Sequence, residues 1–233
     1  MKKRLKINGL VMFLATLLLA AFPAVFLRKD IAGSSDSIAE IFGIALILLG
    51  QLIRVSARGY KSEYSQNGNV LIKGGPYSLV RNPMYLGIFL IGLGVVLMLF
   101  QWWVVVIFIV FFVIRYLLLI YQEERKLKIL FPVDYAAYCQ DVPHRMRPSI
   151  NALLERDIFE YIPIKLKWLK KEIGSIVAVL FLVLLLESWE DIKQSGIGEY
   201  LKELIGISVV ISLFICLVGY LNRRTLNQNG ADK

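Results

Sequence analysis

The longest apolar stretch of this sequence, residues 84–114, contains no Asp, Glu, Lys or Arg. Such a stretch is typical of segments buried in a lipid bilayer, whose hydrocarbon core takes about 20 apolar residues per helical crossing. A single helix continuing through Ile120 would be about 55 Å long at about 1.5 Å per residue, so the chain must fold back on itself. We predict the reversal at Gln101-Trp102-Trp103, because indole rings favour the headgroup level and a glutamine is costly deeper in the membrane.

The rest of the chain has the same character, with 57% hydrophobic and 19% charged residues and a mean hydropathy of +0.62. This composition excludes a soluble Rossmann-type enzyme and leaves no room for a large extramembrane module. We predict an all-α, polytopic membrane protein with about six transmembrane helices. The apolar runs are residues 9–27, 37–53, 84–100, 103–120, 173–186 and 204–221.

The basic residues indicate the orientation of these helices. If both termini are cytoplasmic, only Arg28, Lys29, Lys193 and Lys202 of the 27 Lys and Arg residues lie on the outer side. That asymmetry is the positive-inside pattern of membrane proteins. The net charge of +9 is therefore read first as a topology signal and second as an attraction to anionic lipid headgroups, not as a nucleic-acid footprint.

The N-terminal segment and the two cysteines bear on processing and redox state. Residues 1–6 are basic and precede an apolar run, as in a signal peptide, but no small-x-small cleavage site follows, so we expect an uncleaved first helix. Cys139 falls in a cytoplasmic stretch and Cys216 in the last predicted helix. No disulfide is expected between such different environments.

Two hydrophilic stretches, residues 54–83 and 121–172, are predicted to face the cytoplasm, where any reaction is expected to occur. In the first, a Gly-Gly-Pro-Tyr turn signal precedes Arg81, Asn82 and Pro83. Pro83 fits the first turn of the following helix and Asn82 its N-cap. Two readings stay open, and they are compatible: a capped helix with Arg81 reaching towards the interface, or a site in which Arg81 and free backbone N–H groups bind a carboxylate or phosphate.

The second stretch begins with adjacent acidic residues at the exit of the fourth helix. Glu123 and Glu124 point about 100° apart on a helix and cannot form one paired-carboxylate centre, so we predict two separate contacts. The alternative is a solvated helix end with local ion pairs to nearby basic residues. Tyr135 and Tyr138, three residues apart, are predicted to share one helical face.

Other polar residues give weaker signals. His144 is the single histidine and lacks a partner at metal-ligand spacing, so no metal site is expected. Arg115 lies inside the fourth predicted helix and either faces a cavity or reaches towards the interface. Gly92 and Gly94 are predicted to serve close helix packing.

These residues form two blocks that resemble a known family. Gly75-Pro76-Tyr77 and Val80 to Gly87 resemble the Gly-Pro-Tyr…Arg-His-Pro-x-Tyr-x-Gly segment of the isoprenylcysteine carboxyl methyltransferase and phospholipid methyltransferase superfamily. The second block of that family is similar in spacing to Glu123, Glu124, Leu127, Phe131, Tyr135, Tyr138, Val142 and Pro143. The likeness covers about residues 38–148, and residues 149–233 lie outside it.

The resemblance implies a helical membrane enzyme that binds S-adenosylmethionine at the cytoplasmic face and receives an amphiphilic acceptor from the bilayer. That acceptor would be a phospholipid headgroup or an isoprenylcysteine-like carboxylate. On this basis the expected cofactor-binding residues are Arg81, Asn82, Tyr85, Gly87, Glu123, Glu124, Tyr135 and Tyr138. The expected acceptor-binding residues are Arg145 and Arg147, with no metal and no side chain acting as a general acid or base.

Departures from the family pattern limit the chemistry. Asn82 stands where His is usual, and an amide does not titrate near neutrality, so general-base catalysis from this position is excluded. Pro132 replaces the usual Gly and His144 the usual Arg.

The expected organisation has four parts. Residues 1–36 contain the first helix and an outer loop, residues 37–148 the methyltransferase core, residues 149–172 a cytoplasmic interfacial segment, and residues 173–233 a second transmembrane hairpin and tail. Residues 165–171 contain four lysines and Trp168, typical of a segment that lies on anionic lipid.

Two alternatives remain open. One is an NADPH-dependent membrane reductase of the steroid-reductase type, in which a Glu commonly follows the glycine where this chain has Ile88. The other is a non-catalytic membrane scaffold or small transporter, which would need no cofactor.

Overall fold

The structure is a computed structural model that describes residues 23–26, 34–143, 145, 161–174, 176–177, 179 and 197–231. The regular secondary structure of these residues is almost entirely helical and no strand occurs among them, so the all-α prediction is confirmed. The helices are α1 (Pro23–Phe26), α2 (Ser34–Tyr64), α3 (Pro76–Leu79), α4 (Pro83–Leu99), α5 (Trp102–Leu130), α6 (Pro132–Asp141) and α7 (Ile197–Ala231). A single turn of 3-10 helix, Gln66–Gly68, follows α2, and most of residues 166–179 are helical.

The reversal predicted within the long apolar stretch is confirmed. Helix α4 ends at Leu99 and α5 begins at Trp102, with Gln101 at the N-cap position. The Gln101 backbone N–H donates to the Phe26 carbonyl at 3.0 Å, and the rings of Phe26 and Trp103 lie 5.4 Å apart. The end of α1 and the α4–α5 turn therefore lie side by side.

Helices α2 and α4 pack antiparallel through two pairs of facing glycines. A Cβ atom on Gly50 would come within 2.6 Å of the Gly87 carbonyl oxygen, and Gly43 faces Gly94 in the same way about two turns away. Without side chains at these points the two backbones approach closely, as is common between membrane helices. The predicted packing role is confirmed for Gly94, whereas Gly92 contacts the ring of Phe108.

Residues 161–174 and α7 pack against the second half of α2. Trp168 is 4% exposed and belongs to a hydrophobic core that also contains Val55, Val218 and Leu221. Trp168 was expected to lie at the lipid surface; instead it packs inside the protein, because Gly59 leaves room for its indole on α2.

Hydrogen bonds to α2 and α7 hold this segment. The Ser56 hydroxyl donates to the Pro163 carbonyl at 2.7 Å. The Ile164 N–H donates to Thr225 Oγ1 at 3.2 Å, and the Leu166 N–H donates to Asn222 Oδ1 at 3.0 Å. Helix α7 therefore braces α2 through the 161–174 segment.

Two helices in the described part of the chain are long and apolar enough to cross a membrane, namely Ala39–Tyr64 and Trp102–Leu130, and Pro83–Leu99 is a shorter apolar helix. The predicted first and fifth spans lie largely outside the described residues, and the sixth falls within α7. The count of six spans and the orientation stay predictions. Arg115 lies on the exposed side of α5, which favours the interfacial reading of that residue.

Candidate functional site

The two polar stretches, far apart in the sequence, meet at the start of α4 and the end of α5. Arg81 Nη2 lies 3.3 Å from Glu124 Oε1, and the two side chains are only 11% and 6% exposed. Burial of both charges strengthens their attraction but also removes their hydration. Either charge left buried without the other would therefore be strongly destabilising. A buried ion pair thus links the two blocks.

A tight turn positions Arg81. Gly75 has φ +58°, a conformation that side chains rarely adopt, and a Cβ atom there would also meet the ring of Tyr60. The chain then forms α3, and Val80 is fully buried. Arg81 follows directly, so its guanidinium extends from a fixed backbone.

The predicted start of α4 is confirmed, but the predicted cap contact is wrong. Asn82 occupies the N-cap position and Pro83 the first helical position, yet the Asn82 side chain makes no capping hydrogen bond. Its backbone N–H and its Nδ2 group instead donate to the carbonyl oxygen of Arg145, at 3.0 and 3.3 Å. Asn82 therefore ties the chain after α6 to the start of α4.

Arg145, predicted to bind the acceptor, contacts Glu124. Its Nε group lies 3.3 Å from Glu124 Oε1 and 3.2 Å from Oε2, and its side chain is 50% exposed. The carboxylate of Glu124 is thus held between Arg81 on the buried side and Arg145 on the exposed side. Arg147, the other predicted acceptor residue, and His144 lie outside the described residues.

The two adjacent glutamates make separate contacts, as predicted. Whereas Glu124 is buried, Glu123 is exposed and accepts a hydrogen bond of 2.8 Å from the Tyr85 hydroxyl. The Tyr85 ring in turn packs edge-on against Tyr116, with 5.1 Å between ring centroids. Glu123 is therefore oriented by α4, although it stays accessible.

Tyr135 and Tyr138 share one face of α6, as predicted, and are 1% and 2% exposed. The Tyr138 hydroxyl donates to the Tyr77 carbonyl oxygen at 2.6 Å. Burial raises the pKa of Tyr77, Tyr135 and Tyr138 above the ordinary value of a phenol, so all three are neutral at physiological pH. One turn from Tyr135, the Cys139 sulfur accepts a hydrogen bond of 2.8 Å from Arg81 Nη1.

A cavity of about 300 Å³ opens where the two blocks meet. It contains three of the residues predicted to bind the cofactor, Arg81, Glu123 and Tyr138. Asn82, Tyr85, Gly87, Glu124 and Tyr135 are not part of its lining: three of them contact lining residues, and Gly87 packs against Gly50 of α2. The lining comprises Lys61, Ser65, Gly68, Val70, Leu71, Ile72, Tyr77, Arg81, Glu123, Lys126, Leu127, Leu130, Phe131 and Tyr138.

Sequence reasoning had not assigned one whole wall of this cavity. Leu127 and Phe131 were visible only as positions of the second motif block. Lys61 and the loop from Ser65 to Ile72 carried no such signal, because they precede the Gly-Pro-Tyr turn and only the fold places them opposite α6.

Comparison with protein-family models matches residues 38–133 to the phospholipid methyltransferase family, designated PEMT. The match covers less than half of the chain and includes the first motif block and the start of the second. The resemblance predicted from the two blocks is thereby confirmed for this part of the chain. No curated protein and no solved structure matches.

Proposed function

We propose that this protein is an S-adenosylmethionine-dependent membrane methyltransferase, a proposal supported by the match of residues 38–133 to the phospholipid methyltransferase family. Its acceptor is amphiphilic and embedded in the bilayer, either a phospholipid headgroup or an isoprenylcysteine-like carboxylate. The observation that carries the proposal is the cavity in which Arg81 and Tyr77 of the first block meet Glu123, Leu127 and Tyr138 of the second.

The lining of the cavity is suited to a ligand with one charged and one flat apolar end. Arg81 supplies a cation for the carboxylate of the methionine moiety, and Glu123 supplies an anion for its ammonium or for ribose hydroxyls. Leu127 and Phe131 on one side of the cavity and Leu71 on the other supply apolar surfaces suited to the adenine ring. A volume of about 300 Å³ lies at the lower end of the range of small-ligand pockets.

The surroundings of Glu123 and Glu124 indicate different roles for the two residues. Glu123 lies at the cavity and is the candidate ligand, with Tyr85 orienting its carboxylate. Glu124 lies behind Arg81 and holds the guanidinium of that arginine in place. We assign Glu124 a positioning role, which refines the expectation that both acidic residues bind cofactor.

The chemistry needs positioning and exclusion of water more than it needs a strong acid or base. Methyl transfer from a sulfonium is an in-line displacement in which the positive charge on sulfur is lost as the nucleophile attacks. Tyr138 is neutral, and its hydroxyl group donates a hydrogen bond to the Tyr77 carbonyl oxygen. Its contribution to the site is therefore its aromatic ring, which forms part of the cavity wall. Asn82 cannot titrate and instead joins the chain at Arg145 to the site.

The sequence predicted that Arg145 and Arg147 bind the acceptor, and of these two the structure describes Arg145. Its guanidinium is half-exposed beside Glu124 and lies next to the start of α4. There it can attract an anionic group of the acceptor, either a phosphate or a carboxylate. The excess of basic residues on one side of the predicted topology supports a cytoplasmic location of the site.

Membranes containing the protein, incubated with S-adenosylmethionine that carries a labelled methyl group, test the proposal. Label in a lipid headgroup indicates N-methylation, and base-labile label on protein indicates a methyl ester. Saturable binding of NADPH without methyl transfer would favour a reductase instead. Absence of both transfer and cofactor binding would contradict the enzyme proposal and favour a scaffold.

A pair of arginine variants localises the cofactor. Arg81→Ala is expected to abolish S-adenosylmethionine binding by the purified protein in calorimetry. Arg58→Ala is the matched control, because Arg58 also pairs with a buried carboxylate, that of Glu172, but lies outside the cavity. Unchanged affinity in Arg81→Ala would remove this residue from the site.

A further inference from the structure

One wall of the cavity is a short segment without regular structure over much of its length. Residues 65–73, which we term the lid segment, run from the end of α2 to the Gly74-Gly75 turn. Ser65, Gly68, Val70, Leu71 and Ile72 of this segment line the cavity opposite α5 and α6. A ligand in the cavity would therefore be covered by the lid segment on one side.

Both ends of the lid segment are fixed to α2. Just before it, the Glu63 carboxylate accepts hydrogen bonds from Lys165 Nζ, Lys167 Nζ and Trp168 Nε1, at 2.7, 2.8 and 2.9 Å. Just after it, Gly74 and Gly75 pack so closely on the Tyr60 side chain that a Cβ atom on either would clash. Neither end can shift without breaking these contacts.

Between its ends the lid segment contains a short turn, in which the N–H groups of Gly68 and Val70 donate to the Ser65 carbonyl, and then a stretch that is weakly held. Gln66 has φ +44° and Gly68 φ +93°, two left-handed conformations within three residues, of which the one at Gln66 is strained for a residue with a side chain. Within the described chain, residues 71–73 make no backbone hydrogen bond. The backbone can therefore rearrange here at low cost.

Two contacts join the lid segment to α6 across the cavity. Leu71 packs against the cluster of Tyr135, Tyr138 and Val142. Lys73 Nζ forms an ion pair of 2.9 Å with Asp134 Oδ1, and these side chains are 41% and 66% exposed. An exposed pair of this kind contributes little to global stability, so it can open and close readily.

We propose that residues 65–73 form a lid that pivots on α2 and controls ligand exchange in the cavity, with the Lys73–Asp134 ion pair as its latch. The lid opens at α6, where one apolar contact and one exposed ion pair hold it, and stays attached at α2. The identity of the exchanging ligand rests on the proposed function; the hinged segment and its latch do not.

Amide hydrogen exchange in the full-length protein tests the latch without any ligand. In Lys73→Ala and in Asp134→Ala, the hydrogen-bonded N–H groups of Gly68, Asn69 and Val70 are expected to exchange about two- to fivefold faster than in the unmodified protein, as expected for loss of an exposed ion pair. The charge-swapped double variant Lys73→Asp with Asp134→Lys is expected to restore slow exchange. Lys128→Ala, which removes an exposed lysine of the last turn of α5, is the control and is expected to change nothing.

Equal exchange rates in all variants would overturn the lid, as would failure of the swapped pair to restore protection. The second measurement is the dissociation rate of labelled S-adenosylmethionine, expected to rise by the same two- to fivefold in Lys73→Ala. Rapid exchange together with an unchanged dissociation rate would show that the segment moves without controlling access, and would overturn the gating role. If the unmodified protein binds no S-adenosylmethionine, the proposed function fails, whereas the exchange experiment still decides whether the latch exists.

Discussion

Two buried carboxylates in this protein have nearly the same surroundings. Glu124 lies between Arg81 and Arg145, and Glu172 lies between Arg54 and Arg58 at 3.3 and 2.7 Å. The side chains of the two glutamates are 6% and 10% exposed. In each cluster one arginine is largely buried and the other is half-exposed.

The difference lies in what the arginines connect. Arg54 and Arg58 are one turn apart on α2, so Glu172 simply attaches the 161–174 segment to that helix. Arg81 and Arg145 come from two distant parts of the chain, and Arg81 lines the cavity. An arginine–glutamate–arginine cluster is therefore not by itself a sign of function; the adjoining cavity, with the accessible Glu123, distinguishes the first cluster from the second.

Removal of the central carboxylate from the first cluster is expected to have the largest effect. Glu124→Ala leaves Arg81 buried without a counterion, which costs about 3 to 5 kcal/mol of unfolding free energy. It also frees the guanidinium to move, so S-adenosylmethionine binding by the folded fraction is expected to be lost. Unfolding in detergent micelles and cofactor titration measure the two effects. A Glu124→Ala protein with full affinity would contradict the positioning role.

The same change in the second cluster sharpens the comparison. Glu172→Ala is expected to lower the unfolding free energy by about 3 kcal/mol or less, because Arg54 and Arg58 are more exposed to water than Arg81. Its S-adenosylmethionine affinity is expected to stay within about twofold of the unmodified protein, since the cluster does not line the cavity. A large loss of S-adenosylmethionine affinity at unchanged stability would contradict the conclusion that only the cluster around Glu124 contributes to binding.

A third variant separates ligand contact from positioning. Glu123→Gln keeps the shape of the side chain but removes its charge, and a hydrogen bond to a charged group is worth about 1.5 to 3 kcal/mol. Affinity is expected to fall roughly tenfold to a hundredfold, while unfolding free energy changes by less than about 0.5 kcal/mol because Glu123 is exposed. Calorimetry and unfolding on the same preparation make the check. A stability loss similar to that of Glu124→Ala would instead show that Glu123 stabilises the fold.

The smallest expected effect is that of the tyrosine behind Glu123. Tyr85→Phe removes the 2.8 Å hydrogen bond to Glu123 and is expected to weaken S-adenosylmethionine binding severalfold, for about 1 kcal/mol. Because Tyr85 acts through Glu123, the loss is expected to disappear when Glu123→Gln is already present. Additive losses in the double variant would mean that Tyr85 contacts the ligand directly.

The ends of α4 and the start of α5 were predictable to within one residue, whereas α2 and α5 extend about ten residues beyond the apolar runs that predicted them. Gln101-Trp102-Trp103 marked the reversal between α4 and α5, because polar and indole side chains are costly in the middle of a bilayer. Pro83 marked the start of α4, and the spacing of Tyr135 and Tyr138 placed both on one face of α6, because both follow from helix geometry alone.

Contacts between distant segments were less predictable. The Asn82 side chain was expected to cap its own helix, yet its Nδ2 group donates to the carbonyl oxygen of Arg145, more than 60 residues later in the chain. Trp168 looked like a membrane-surface residue, since its buried position depends on Gly59, more than 100 residues earlier in the chain. The lid segment contains no motif that indicates a binding site. It belongs to the site only because the fold places it opposite α5 and α6.

The sequence by itself determined that the chain is helical and apolar, where its helices turn and begin, and which two blocks carry the family likeness, since hydropathy, helix periodicity and motif spacing are written locally. The tertiary structure alone decided which glutamate lies at the cavity and which holds Arg81, that Gly87 serves helix packing, and that Arg145 closes over Glu124. These outcomes depend on the direction in which each side chain meets a segment tens of residues away, and only close packing of α2, α4, α5 and α6 fixes that direction.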